Sequence, residues 1–248
     1  MSPKIIDINA DLGEGFGCES EVMPFLSSCN IACGGHAGDD ITMREAVLSA
    51  KQHRVKIGAH PSYPDKLNFG RKSMELPEKE FIDSIRNQID RLHQIVQQSG
   101  SVLHHIKPHG ALYNDVARRT PVAIRFLEAI EPYKNQSVLF VPNQSEIEKM
   151  ALSLGFSICY EAFADRNYNE DYTLVLRQNP DAVLQNPIQI SIHLMRMFDH
   201  KKLITINQKE IPIRAETFCF HTDFSESIRI IKEVNQILKT LGYAIGKL

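Results

Sequence analysis

The sequence contains no tryptophan, and only five cysteines fall among its 248 residues. Cys18, Cys29, Cys33, Cys159 and Cys219 form no C-x-x-C pair and are odd in number, which argues against a disulfide framework and for reduced thiols in a cytoplasmic setting. Cys29 and Cys33 have no nearby partners at zinc-ligand spacing and read as small buried packing residues. Neither sign of charge is in excess: 28 Lys and Arg stand against 30 Asp and Glu. With no basic run either, nucleic acid and acidic membrane surfaces are poor partners. No apolar run has membrane-spanning length, and the opening MSPKIIDINADL enters a strand pattern at once, without the basic, apolar and small-residue order of a signal peptide.

What the sequence does have is alternation. Seven strand candidates run at Lys4–Ala10, Cys29–Cys33, Val55–His60, Val102–Lys107, Ser137–Val141, Phe156–Tyr160 and Glu216–His221, with helical patterns between most of them. Phe81, Ile85, Ile89, Leu92 and Val96 mark one helix face, with Pro77 at its first turn and Gly100 past its end. Phe224, Ile228, Ile231, Leu238 and Leu241 mark another, and Asn143–Glu146 reads as a capping box. The rhythm predicts a parallel α/β sheet in a single domain over residues 1–248, with a hairpin insertion at 203–213.

Polar residues recur where these strands run out: DINADLGEG, NIACGGHAGDD, IGAHPSYPD, HHIKPHGALYN, EAFADRNY and FCFHTD. In an open doubly wound sheet, ligand groups gather at one or two switch points. Here nearly every strand end carries one, and a closed (β/α) barrel brings all those ends to one rim. That makes an enzyme the leading reading.

Asp7, Asn9 and Asp11 alternate with apolar residues and share one strand face; Asp11 and Glu14 read as site residues, whereas Asp7 lies deeper and reads as structural. In the Gly34–Asp39 loop His36 is a site candidate, and Asp39 reads equally as a ligand group or a helix N-cap. His60 ends a strand; Arg71 follows in a lid-length loop as a carboxylate or phosphate clamp, or as a solvated surface residue. His105, Lys107 and His109 share one face. A lysine at an inner rim suits an anion or developing oxyanion charge, and His109 suits acid–base work or metal ligation. Asp165 and Arg166 read as substrate-binding or as an ion pair. His221 reads as functional, and Asp223 as a possible cap with Glu226. No phosphate loop is readable.

DINADLGEGFG, NIACGGHAGD, GAHPSYPD with FGR, HIKPHGALYN and FADRNY together resemble the LamB/YcsF family, associated with the A component of the prokaryotic 5-oxoprolinase. The resemblance runs from the first strand to the last helix. It implies a distorted seven-stranded (β/α) barrel related to glycoside hydrolase and deacetylase-like barrels. It also implies ATP-dependent opening of 5-oxoproline to L-glutamate, with Mg2+ accompanying the nucleotide, in a complex with companion subunits B and C. By motif position it assigns the site to Asp11, Glu14, His36, Asp39, His60, Lys107, His109, Asp165, Arg166 and His221. One departure stands out: where the family reads His-Gly-Asp, this chain has His221-Thr222-Asp223. Two other readings stay open. One is a metal-dependent hydrolase or deacetylase with Asp11, His60 and His109 as ligands. The other is a lactam-binding subunit whose partner performs phosphoryl transfer.

Overall fold

The computed structural model describes residues 3–17, 19–224 and 226–247, so Cys18 lies outside the described residues. Its strands are β1 (Lys4–Ile6), β2 (Ile8–Leu12), β3 (Ser28–Ala32), β4 (Lys56–His60), β5 (Leu103–Ile106), β6 (Val138–Pro142), β7 (Ile158–Phe163), β8 (Lys202–Ile204), β9 (Glu210–Pro212), β10 (Thr217–Phe220) and β11 (Tyr243–Ile245). Seven of them close a parallel barrel in the order β10-β2-β3-β4-β5-β6-β7, with β10 pairing both β7 and β2. The helices are α1 (Glu19–Val22), α2 (Asp40–His53), α3 (Glu78–Gln98), α4 (Gly110–Arg118), α5 (Thr120–Ile130), α6 (Glu146–Ser153), α7 (Pro187–His200) and α8 (Ser227–Thr240). No helix among the described residues is long and apolar enough to cross a membrane.

The helices form for local reasons. On α3 the expected stripe Phe81, Ile85, Ile89, Leu92 and Val96 is buried, Pro77 occupies the N-cap position, and Gly100 follows the last turn at φ +72°. Helix α7 starts at Asn186, whose side chain accepts from the backbone N–H groups of Ile188 and Gln189. The capping box before α6 is Ser145–Glu148, two residues later than Asn143–Glu146.

Two strands differ from the sequence reading. Lys4–Ala10 is not one strand. It breaks at Asp7, with β1 leaving the barrel to pair in parallel with β11, while β2 alone enters the wall. Asp7 draws the chain aside by binding Thr217 Oγ1 at 2.6 Å and Lys56 at 3.2 Å. The strand expected at Phe156–Tyr160 starts later and runs on to Phe163, which carries Glu161 into the barrel wall. Within residues 203–213, β8 and β9 form an antiparallel pair.

Both faces of the central strands are buried, yet the barrel interior is polar. Asn9 donates to Thr217 Oγ1 at 2.8 Å, Asn30 donates to Asn9 Oδ1 and Asp11 Oδ1 at 2.8 Å each, and the His105 ring meets Asn30 Oδ1 at 2.7 Å. The Asn30–His105 bond spans from β3 to β5, past the intervening β4. It can do so because β4 has Gly58 there, at a shift in strand register; a Cβ on Gly58 would lie 2.1 Å from His105 Nε2. Glycine is required here by close approach. The apolar core lies outside this polar column, between the barrel and its helices.

Candidate active site

Above the Asn9–Asn30–His105 layer, Lys107 extends from the end of β5 into the barrel and is 1% exposed. Its ammonium lies 2.9 Å from Asp11 Oδ1, 2.9 Å from Cys219 Sγ and 3.2 Å from Glu161 Oε1. Burial opposes its charge, but Asp11, Cys219 and Glu161 outweigh it and hold the lysine pKa well above its ordinary value. Burial likewise pushes Asp11 up, and His60 and Lys107 outweigh it, so this carboxyl sits well below its ordinary value. The floor of the site is a formed ion pair.

One layer higher, four side chains converge. Glu14 comes from the loop after β2, His36 from the loop after β3, His60 from the end of β4 and His109 from the start of α4. Their ligand atoms all lie within 4.8 Å of one another. The His36 and His109 rings stack at 3.6 Å, and His36 Nε2 lies 2.9 Å from Glu14 Oε1. The loop that carries His36 turns at Gly38 (φ +86°), where a Cβ would meet the Ala32 carbonyl oxygen at 2.4 Å. Burial, then Asp11, raises Glu14 to about 7, and burial takes His36 down to about 2. Burial followed by His36 and His60 takes His109 well below its ordinary value.

Hydrogen bonds fix how these rings face. His60 Nδ1 lies 2.8 Å from the Lys107 carbonyl and His109 Nε2 lies 3.0 Å from the Phe69 carbonyl. A carbonyl only accepts, so each of these nitrogens carries the proton. His109 Nδ1 therefore presents a lone pair, 3.0 Å from His60 Nε2, which also lies 3.2 Å from Asp11 Oδ2. A cation, or a proton on His60 Nε2, would satisfy both acceptors. With Glu14 Oε1 3.4 Å from His109 Nδ1, three imidazoles and one carboxyl group are a donor set that suits zinc or a similar divalent ion.

A cleft of about 290 Å³ opens over these layers, and Asp11, Glu14, His60, Lys107, His109, Arg166 and His221 border it. Asp165 stands behind His221: it accepts from the His221 backbone N–H at 2.8 Å and from ring Nδ1 at 2.9 Å, so Nε2 is left free. Burial raises Asp165, and the His221 ring and its N–H outweigh it, leaving this carboxyl lowered. Thr222 has no positive φ, and its hydroxyl donates to the Asp11 carbonyl at 2.7 Å, so the departure from His-Gly-Asp is absorbed by a bond to β2.

Three expected residues are placed otherwise. Asp39 is exposed and caps α2 by accepting from Ile41 and Thr42; its carboxylate is used there, not in the cleft. Arg166 borders the cleft, but its guanidinium donates to the carbonyls of Val175 at 2.6 Å and Ala182 at 3.1 Å, bracing the loop after β7. Asp223 caps nothing; it is gripped by Arg71 and, at 2.8 Å, by Arg177 across the mouth of the cleft. The four groups that could together hold a metal are Glu14, His36, His60 and His109; Asp11 binds Lys107 and Asn30 through Oδ1 and turns Oδ2 to His60 Nε2 at 3.2 Å. Sequence reasoning missed Glu161, Tyr113 and Arg177. Glu161 had a signal, a lone acid within the apolar stretch ICYEAF, hidden by ending the strand at Tyr160 when it runs on to Phe163.

Known proteins share this arrangement of the chain. The catalytic domain of a peptidoglycan N-acetylglucosamine deacetylase from Eubacterium rectale superimposes with a TM-score of 0.52 at 14% identity, covering all of this chain and 89% of that one, a likeness of fold alone. A crystal structure of a lactam utilization protein from Thermus thermophilus superimposes with a TM-score of 0.90 at 32% identity, covering 98% of this chain and all of the other. The A component of the 5-oxoprolinase of Pyrococcus abyssi is 37% identical over 245 residues, 97% of this chain and 96% of its own. That of Thermococcus sibiricus is 39% identical over the same shares. With residues 6–248 matching the family description as well, this chain belongs to the LamB/YcsF family.

Proposed function

We propose that this chain acts, as one domain, as the A component of a 5-oxoprolinase. In this reading it opens the cyclic amide of 5-oxoproline to L-glutamate, coupled to ATP hydrolysis with Mg2+, together with companion subunits B and C in the cytoplasm. The observation that carries the reading is the near-full-length identity of 37% and 39% to relatives of that name. The geometry agrees with it. A lactam is a stable amide, and opening it needs an activated carbonyl carbon, a water and a proton for the departing nitrogen. Lys107, held charged at the cleft floor, supplies positive charge for the carbonyl oxygen or a phosphoryl group on it. His221, oriented by Asp165, offers its free Nε2 to protonate the ring nitrogen. With the cluster free of metal, Glu14 or His109 takes the proton of the attacking water. The substrate carboxylate falls to Arg71 and Arg177 at the mouth; Arg166 is occupied by carbonyls. A divalent ion on Glu14, His36, His60 and His109 would polarise the carbonyl or bound water.

Co-expression of this chain with B and C, followed by 5-oxoproline and ATP, tests the reading. Glutamate and ADP are expected in step, with none from B and C alone. A full set that makes neither product sinks it. The histidine cluster favours a second reading, a metal-dependent hydrolase that needs no nucleotide. Turnover of an N-acetylated sugar by the isolated chain, without ATP and abolished by a chelator, would select that reading instead.

A further inference from the structure

Beside the main cleft lies a smaller cavity bordered by Tyr113, Asn114, Arg118, Glu161, Phe163 and Leu174; all but Glu161 border the main cleft too. Two of its polar groups stand out. Glu161 is 2% exposed, and neither carboxylate oxygen has a hydrogen-bond partner among the described residues. The Tyr113 hydroxyl is buried and faces that carboxylate outside hydrogen-bond geometry, with no other partner among the described residues. Lys107 balances the charge of Glu161 from 3.2 Å without meeting hydrogen-bond geometry. Folded chains seldom leave a buried acceptor and a buried donor unfilled side by side.

We propose that Glu161 and Tyr113 form a reader for the edge of a lactam, the ring N–H donating to the Glu161 carboxylate and the ring carbonyl accepting from the Tyr113 hydroxyl. An open-chain secondary amide is trans, with N–H and C=O pointing in opposite directions. A five-membered ring forces the cis form, which sets N–H and C=O side by side. An acceptor and a donor fixed next to each other on one cavity wall complement that edge and not the trans one. Phe163 and Leu174 supply apolar surface for the ring methylenes. The choice of 5-oxoproline as ligand rests on the function proposed above; the selection of a cyclic amide by these two residues goes beyond it.

Calorimetric titration of the full chain, alone and with its companion subunits, tests this. The probes are 5-oxoproline, 2-pyrrolidinone, the γ-lactone acid with oxygen in place of the ring N–H, and N-acetylglycine. The wild-type chain is expected to bind 5-oxoproline at least tenfold more tightly than the lactone acid or the open-chain amide, the size of one charge-assisted hydrogen bond. Glu161→Gln should reduce the lactam-over-lactone preference to within threefold. Tyr113→Phe, which removes a single oxygen and preserves the packing, should weaken lactam and lactone in parallel, by about fivefold or more. If 2-pyrrolidinone binds with these dependences and 5-oxoproline does not, the lactam reader stands and the assigned substrate falls. The inference is overturned if folded Glu161→Gln and Tyr113→Phe chains both bind 5-oxoproline within twofold of wild type. It is equally overturned if wild type does not distinguish lactam from lactone, or binds neither lactam.

Discussion

Glu14 touches the imidazoles it stands among, so its proton and a bound cation compete for the same oxygen. Its folded pKa, raised from 4.5 to about 7, means that the folded state holds this proton more tightly than the unfolded one. The metal-free chain should therefore lose stability as pH rises from about 4.5 to about 7, by up to ~3 kcal/mol. Glu14→Gln should flatten that loss, and a saturating divalent ion should reverse it by taking the place of the proton. Denaturant melts across that range, with and without zinc, measure all three; a wild-type profile identical to that of Glu14→Gln would remove the linkage. Protein purified without chelator should carry about one divalent ion per chain, and His60→Ala and His109→Ala should each lose it on elemental analysis. The four residues of this cluster were legible as site candidates in the sequence, because each lies at the end of an apolar strand run or in the loop just after it. Asp39 misled because a helix cap and a ligand want the same residue just before a helix. The exact ligand set was not legible, since it depends on which oxygens Lys107 and Asn30 already occupy.

Strands and helices were legible by type and order, and less so by their ends. Apolar runs show where a strand is buried, but not where a side chain pulls it out of register. Asp7 splits the first strand through bonds to Thr217 and Lys56, partners far away in the chain. The polar interior was half legible. Asn9 and His105 lie on strand faces that the sequence marks as polar and inward, whereas Asn30 resembles an ordinary surface residue until the barrel closes around it. Once enclosed they are tied to one another, and Asn30 serves three partners on two strands, β2 and β5. Asn30→Ala should cost about 3 kcal/mol, because it strands buried groups on Asn9 and His105 together. Gly58→Ala acts on the same layer from the other side. Its methyl group would collide with the His105 ring, and a loss of about 2 kcal/mol is expected in thermal or urea unfolding. Equal stability of both variants to wild type would mean that the layer is not closely packed.

Across the whole molecule, stability and chemistry are divided between the ends of one barrel. The Asn9 layer and the β1–β11 pair lie toward the strands' starts, and the groups assigned to catalysis lie at their finishes, where loops are free to differ. Substitutions near the rim should therefore depress turnover with little effect on folding, and Lys107 should mark the boundary between the two. His109→Ala removes a ring from the rim. In the complex with B and C, ATP-coupled glutamate formation should fall at least thirtyfold, while the metal-free chain still assembles and melts within a few degrees of the metal-free wild type. Lys107→Ala should lose as much activity and be destabilised by about 3–5 kcal/mol as well, because Asp11 and Glu161 would be left buried without their cation. Parallel measurement of glutamate, ADP and melting temperature separates the two behaviours. Turnover within threefold of wild type in both variants would show that the reaction does not use this rim, however well its residues converge.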